Sequence, residues 1–178
     1  MKDKSEGKTM ILETERLYLR EMTFEDKKDL SEMLQDPKVM YAYEHEFSDA
    51  DVQNWLDRQL IRYHKDGFGL WAIILKETNE MVGQAGLTIQ KCMKEEVLEI
   101  GYLLKKRFMH HGYAKEAAEG CKRYAFDQLN AAKVYCIIKA DNVSSMKVAK
   151  AIGMHKEKEF MAQYYNGEQL HYLFMIQK

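Results

Sequence analysis

Along the 178-residue chain the spacing of apolar side chains switches between a period near two and a period near 3.6, and the switches predict the elements. Arg16 to Met22 alternates Leu17 and Leu19 against Arg20 and reads as a first strand. Thr23, with Asp26 three residues later, has the form of a helix start, and that helix should end near Asp36-Pro37. Ser48 and Asp51 announce a second helix, in which Val52, Trp55, Leu56, Gln59, Leu60 and Tyr63 recur at helical spacing until Gly67. Two apolar runs follow, Leu70 to Leu75 and Met81 to Ile89. The polar residues Lys76 to Glu80 between them predict a hairpin of the longer-loop kind. Glu96 to Leu104 reads as the third strand of this meander.

The pattern then turns helical again, because Ala114, Ala117, Ala118, Cys121, Ala125 and Leu129 fall on one face opposite Lys115, Glu119 and Lys122. A buried strand from Val134 to Ala140, a short helix from Ser144 to Ile152 and two strands around Asn166-Gly167 complete the order; Asn-Gly is a strong hairpin signal. The predicted sequence is β-α-α-β-β-β-α-β-α-β-β, which implies an α/β fold with one mixed sheet and helices on both faces. Residues 1–10 read as a flexible polar leader and 11–178 as a single domain without repeat or linker.

Composition narrows the classes. Hydrophobic residues at 46% and charged residues at 31% exclude a disordered tail protein, and a chain of this size can bury roughly 70% of its extended surface. With 27 Lys+Arg against 28 Asp+Glu, no global field favours nucleic acid or an anionic membrane. The longest uncharged stretch, Met81 to Gln90, is far below the ~18 residues of a membrane span, and the charged start lacks the apolar run of a secretory signal. A cytoplasmic location is expected. Cys92, Cys121 and Cys136 offer neither an even count nor zinc spacing, so reduced thiols and no metal are expected.

The candidate chemistry sits between Leu104 and Ala118, where a strand passes through a basic loop into a helix start. Free backbone N–H groups and the helix dipole suit an anion there, and Gly112 and Ala114 let a ligand approach the backbone. Neither a dinucleotide fingerprint nor a P-loop is present.

These residues, together with others, resemble the GNAT superfamily of acetyl-CoA-dependent N-acetyltransferases over nearly the whole chain. Thr14-Glu15-Arg16-Leu17-Tyr18-Leu19-Arg20 is similar to the opening of the branch that includes ribosomal-protein N-terminal acetyltransferases of RimJ and RimL type. Glu99-Ile100-Gly101-Tyr102 resembles its fourth strand, His111 to Ala117 its pyrophosphate loop, and Asn142-Val143-Ser144-Ser145 with Gly153 its N-x-x-S helix. The resemblance implies a GNAT fold whose central parallel strand pair splays apart to hold coenzyme A. Tyr102, Leu103 and Leu104 would bond the pantetheine, the amides of His110, His111, Gly112, Tyr113, Ala114 and Lys115 the pyrophosphate, and Asn142 the pantetheine arm. Met109 stands where the family has Gln or Arg, Met154 replaces a Phe, and Ala149 stands where many relatives place a tyrosine that protonates the leaving thiolate.

An amine acceptor is mostly protonated at neutral pH and needs a base before it attacks a thioester. Glu99, inside the apolar run Val97 to Ile100, is the candidate, since burial raises a carboxyl pKa; the alternative is an ordinary sheet glutamate. Ser145 is a candidate acid for the thiolate, although Ser144 or Ser145 would equally serve as a helix cap. Glu44, His45 and Glu46 between the early helices are candidate acceptor contacts, with a solvated loop as the alternative, and Tyr164 and Tyr165 at the last hairpin are candidate acceptor contacts and further candidate acids, with plain packing as the alternative. If the two glutamates face the cleft they would attract a cationic amine. Cys121 falls on the apolar helix face, which favours direct transfer in a ternary complex. The acceptor would be a peptide N-terminus or a small-molecule amine, and the protein a monomer or homodimer. The rival is a non-catalytic acyl-CoA-binding regulatory module, and Ala149 is its support.

Overall fold

The computed structural model describes residues 9–178, and among them eight strands form one sheet flanked by helices. The chain runs through β1 (Met10–Glu13), β2 (Leu17–Arg20), α1 (Lys27–Leu34), α2 (Asp49–Lys65), β3 (Leu70–Leu75), β4 (Glu80–Cys92) and β5 (Glu95–Leu104). It continues through α3 (Tyr113–Asp127), β6 (Lys133–Lys139), α4 (Val143–Ala151), β7 (His155–Tyr164) and β8 (Gly167–Gln177). The strand order is β1-β2-β3-β4-β5-β6-β8-β7, antiparallel throughout except for the β5–β6 pair. This is the mixed sheet of a GNAT fold that the sequence implies.

Helices cover both faces because the strands are apolar on both. In β3, Trp71 and Ile73 join the cluster built with Ala117, Cys121 and Ala125 of α3, while Leu70, Ala72 and Ile74 join Leu30 and Met33 of α1 and Val52 and Leu56 of α2. Burying each large side chain is worth about 1.5–3 kcal/mol, so one unbroken apolar run fastens two helical layers. Ser48 caps α2, its Oγ accepting from the Asp51 N–H at 3.1 Å while the Asp51 carboxylate accepts from the Ser48 N–H at 2.9 Å.

Three expectations change. Residues 1–8 of the predicted leader lie outside the described residues, and Met10 opens β1, an edge strand too short to stand out as a pattern. The helix expected from Thr23 begins as a single 3-10 turn, Phe24–Asp26, and turns α-helical at Lys27. Asp26 is drawn inward there, where both its oxygens accept from the Arg20 guanidinium at 2.8 Å. β4 extends through Cys92, beyond the predicted Ile89.

The pairing of β5 with β6 positions the site. β5 is fully laddered to β4, from Cys92↔Glu95 to Gly83↔Leu104, yet it meets β6 at one register position, Glu99 opposite Tyr135. Beyond that position the two strands diverge, while β6 keeps its full ladder to β8. A gap therefore opens in the middle of the sheet, beside Gly101 to Leu104.

Candidate functional site

The gap widens into a cleft of about 1000 Å³ that passes from one face of the sheet to the other. Its wall on one side belongs to α3 and α4. Its wall on the other belongs to α2, the segment before it and the β7–β8 hairpin. Among the described residues Glu99 is the one carboxylate on the wall, against Arg58, Arg62, Lys91, Lys115, Lys139 and Lys147.

On the α3 side the cleft ends at backbone. His110, with φ 66°, and Gly112, with φ 82°, both take the left-handed conformation, which costs a non-glycine residue such as His110 about 1–2 kcal/mol. Strain of this kind collects at functional loops. Gly112 is the N-cap of α3, so the first amides of that helix have no partner in their own helix. The loop is held from behind: Arg16 Nη1 donates to the His111 carbonyl at 3.0 Å, its guanidinium lies 4.7 Å from the centre of the Tyr113 ring, and its Nε donates to Glu116 Oε2 at 2.7 Å. Glu116 Oε1 also accepts from Thr14 Oγ1 at 2.6 Å. The structure thus turns His111 and Tyr113 towards Arg16, while His110, Gly112, Ala114 and Lys115 line the cleft.

Alternation along β5 sends Leu98, Ile100, Tyr102 and Leu104 to the α3 face and Leu103 to the α1–α2 face, so Glu99 points to the α2 side. By surface Glu99 is only half-buried, because it looks into the cleft; by surroundings it is deep in protein. Desolvation pushes its pKa up to about 8, with Arg62 and the Ile137 backbone N–H pulling weakly the other way. Tyr43, on the same side, is pushed up to about 12 by burial and by the Glu99 charge, and Tyr164 is raised by burial first and then by Tyr43, Tyr165 and Glu99, so both are neutral phenols.

On the opposite side of the gap, Ser145 and Asn142 both line the cleft. Asn142 is the cap of α4, its Oδ1 accepting from the Ser145 N–H at 3.2 Å and from the Tyr41 hydroxyl at 3.1 Å. That corrects the capping alternative for the serines, since Ser145 stands one turn inside the helix. Tyr102 Oη donates to the Ser145 carbonyl at 2.8 Å, and Ala149 is fully buried in the core. Cys121 is likewise sealed in the core and its thiol is raised by burial alone. Among the described residues no cluster suited to a metal is found.

The Glu44 to Glu46 loop differs from expectation. Glu44 Oε1 accepts from Lys139 Nζ at 2.7 Å, its Oε2 accepts from Gln169 Nε2 at 2.5 Å, and its carbonyl accepts from Asn166 Nδ2 at 3.2 Å. His45 stacks on Tyr165 with ring centres 4.0 Å apart, and Glu46 is exposed. None of the three lines the cleft, and Lys139 and Gln169 of the hairpin hold the Glu44 carboxylate. The loop is a clasp on the β7–β8 hairpin, whose Tyr164 and Tyr165 do line the cleft.

The residues missed from sequence are Tyr43, Trp55, Arg58, Arg62 and Gln84. Trp55 Nε1 donates to Gln84 Oε1 at 3.0 Å, and the Tyr43 ring lies 6.4 Å from Trp55 and 6.3 Å from Tyr164. The one signal in the sequence is that Trp55, Arg58 and Arg62 share a helix face.

The chain matches the family described as acetyltransferase (GNAT) domain over residues 16–155. It is 34% identical to YkkB of Bacillus subtilis over 153 residues, covering 85% of this chain and 88% of that protein. A GNAT-family acetyltransferase from Bacillus anthracis superposes with a TM-score of 0.80 at 26% identity, covering 95% of this chain and 98% of the other. RimL, a ribosomal L7/L12 α-N-protein acetyltransferase solved with coenzyme A, superposes at 0.79 with 15% identity, over 95% of this chain and 98% of RimL, a likeness of fold.

Proposed function

The chain belongs to the GNAT acetyltransferase family, and from that premise we propose that it moves an acetyl group from acetyl-CoA to a primary amine by direct attack in a ternary complex. The observation that carries this is the through-sheet cleft: one end is lined by backbone amides and lysines, the other by aromatic rings, and a single carboxylate of raised pKa stands at the junction. The chemistry of the donor end fits coenzyme A. Gly112, Ala114 and Lys115 suit its pyrophosphate, Tyr102 to Leu104 and Asn142 its pantetheine arm, and Lys147 adds a further cation on the same side. Acetyl-CoA supplies an acetyl carbon already activated as a thioester.

Glu99 is the base. Its carboxylate takes a proton from the ammonium form of the acceptor, the freed nitrogen forms the new N–C bond as the C–S bond breaks, and the remaining surplus proton on nitrogen goes to the departing sulfur. With Ala149 buried, Ser145 of α4 and Tyr102 of β5, whose hydroxyl donates to the Ser145 carbonyl, are the hydroxyls on the α3 face of the cleft that would relay that proton. Glu99 and Ser145 thus face one reacting centre from the two faces of the sheet. The test is release of free thiol from acetyl-CoA across peptides, polyamines, amino acids and amino sugars. Turnover with one of these classes supports the reading; tight coenzyme A binding with no turnover favours a regulatory acyl-CoA-binding module.

A further inference from the structure

The positive charge of the cleft is divided between two ends. Lys115 and Lys147 stand on α3 and α4 on one face of the sheet, where the phosphates of coenzyme A account for them. Arg58 and Arg62 stand on α2, on the other face, with Trp55 one turn before Arg58. Lys139 on that wall is neutralised by Glu44 at 2.7 Å and Asp141 at 3.2 Å. The two arginines are held less closely: among the described residues neither forms an ion pair, Arg58 lies 5.7 Å from the centre of the Trp55 ring, and Arg62 donates to the neutral Gln59 Oε1 at 3.1 Å, with Asp66 and Glu99 acting on it only at longer range. Placed four residues apart on one helix face, they repel one another. Two guanidiniums without an ion-pair partner beside an aromatic wall form a receptor for an oxyanion, since the guanidinium fork matches carboxylate or phosphate oxygens.

A donor whose phosphates rest on the α3 face brings no anion to the α2 face, where Glu99 is the one carboxylate on the wall among the described residues and forms no ion pair with either arginine. We propose that the acceptor brings that anion: the acetylated amine belongs to a small molecule that also carries a carboxylate or phosphate, and Arg58 and Arg62 select it. This rests on the acetyl-transfer reading above and narrows its acceptor. Glu99 takes the ammonium end, the arginines take the anionic end, and the rings of Tyr43, Trp55 and Tyr164 accept a flat or apolar body between them. Polyamines and amino sugars, which carry no anionic group, are disfavoured by the same arrangement.

The test uses amines in matched pairs: L-phenylalanine with L-phenylalaninamide, L-leucine with L-leucinamide, and phosphoethanolamine with ethanolamine. Both kcat/KM at saturating acetyl-CoA and calorimetric binding to the coenzyme A-saturated protein are measured. The anionic member of at least one pair should be preferred about 10- to 100-fold, the order expected of hydrogen bonds to a charged group. The carboxylate and phosphate pairs separate the two sources of the anion. In Arg58→Gln, Arg62→Gln the ratio should fall towards one with the KM for acetyl-CoA retained. Arg58 is exposed and Arg62 half-buried, so the fold should tolerate both changes, which a thermal melt checks. Equal use of amides and acids, a ratio the variants leave intact, or loss of coenzyme A binding in the variants would overturn the proposal. If no amine is acetylated, the activity reading fails, and the calorimetric preference alone decides the anion site.

Discussion

The two ends of the cleft are built from different material. At the α3 end the contacts on offer are main-chain amides, presented by two left-handed residues and a helix start and braced from behind by Arg16 and Glu116. At the α2 end they are side chains, gathered from the loop before α2, from α2 itself, from β4 and from the last hairpin. A backbone site needs one short segment in the right conformation, whereas a side-chain site needs several distant segments brought together by the fold. The first suits a ligand that never changes, the second one that differs among proteins of the same fold.

The largest expected effect lies where the two ends meet. Glu99→Gln keeps size and hydrogen bonding but cannot take a proton, so turnover should fall by about 10² to 10⁴ with acetyl-CoA binding intact. In the wild type, kcat/KM should rise with pH through about 8, as the raised carboxyl ionises, and that limb should vanish in the variant. A variant that keeps both its rate and its acid limb would make Glu99 a structural residue.

The next effect separates the donor end from the acceptor end. Gly112→Asp places a carboxylate at the anion cradle, and a Cβ there would come 3.3 Å from Arg16 Nη2, which must give by a few tenths of an ångström in the Asp and Asn variants alike. Gly112→Asn accepts the left-handed backbone equally well and carries no charge. Calorimetry should therefore show coenzyme A affinity lowered by about 10²-fold for Asp relative to Asn, in line with one uncompensated charge at a phosphate site. Equal affinities would remove the loop from the coenzyme A site.

The same contrast explains what could be read before the structure. The meander, the amphipathic α3 and the final hairpin were legible because each is declared by local periodicity, as was the loop around Gly112, which is itself one segment. Glu99 was legible as a charge inside an apolar strand. Arg58 and Arg62 were not, since two arginines on a helix usually face water, and only the placement of β5 opposite α2 turns them into a cleft wall. The partners of Glu44 were illegible for the same reason: Lys139 and Gln169 lie some hundred residues away in sequence.

A smaller effect reads the cost of the base to the fold. The folded chain holds the Glu99 proton up to about pH 8, while an unfolded chain releases it near the ordinary 4.5, so stability is complete at low pH and declines as pH rises between those values. Glu99→Gln removes that decline. Its melting temperature should exceed that of the wild type at pH 9 by roughly 2 to 8 °C, the equivalent of about 1–2 kcal/mol in a chain of this size, and match it near pH 5. Parallel curves at both pH values would show that the carboxylate is solvated through the cleft.

The smallest expected effect tests whether the Glu44 loop belongs to the acceptor end or merely borders it. Lys139 and Gln169 hold the Glu44 carboxylate below the usual range, so its contribution is present at neutral pH and lost as the solution is acidified through that lowered pKa. The carboxylate is solvent-accessible, and exposed ion pairs contribute little, so Glu44→Gln should shift the melting temperature at pH 7 by only about 1 to 3 °C. It also releases Lys139, one more cation on the cleft wall, from its nearer partner. If Glu44 contacted a cationic acceptor, KM for cationic amines would rise in the variant. A strut predicts the reverse sign: freeing Lys139 adds positive charge, so KM for an anionic acceptor should fall slightly or hold, while KM for a cationic one should change little from an already poor value. The direction of that small change, measured for one matched acid and amide pair, decides whether the loop selects the acceptor or only braces the β7–β8 hairpin.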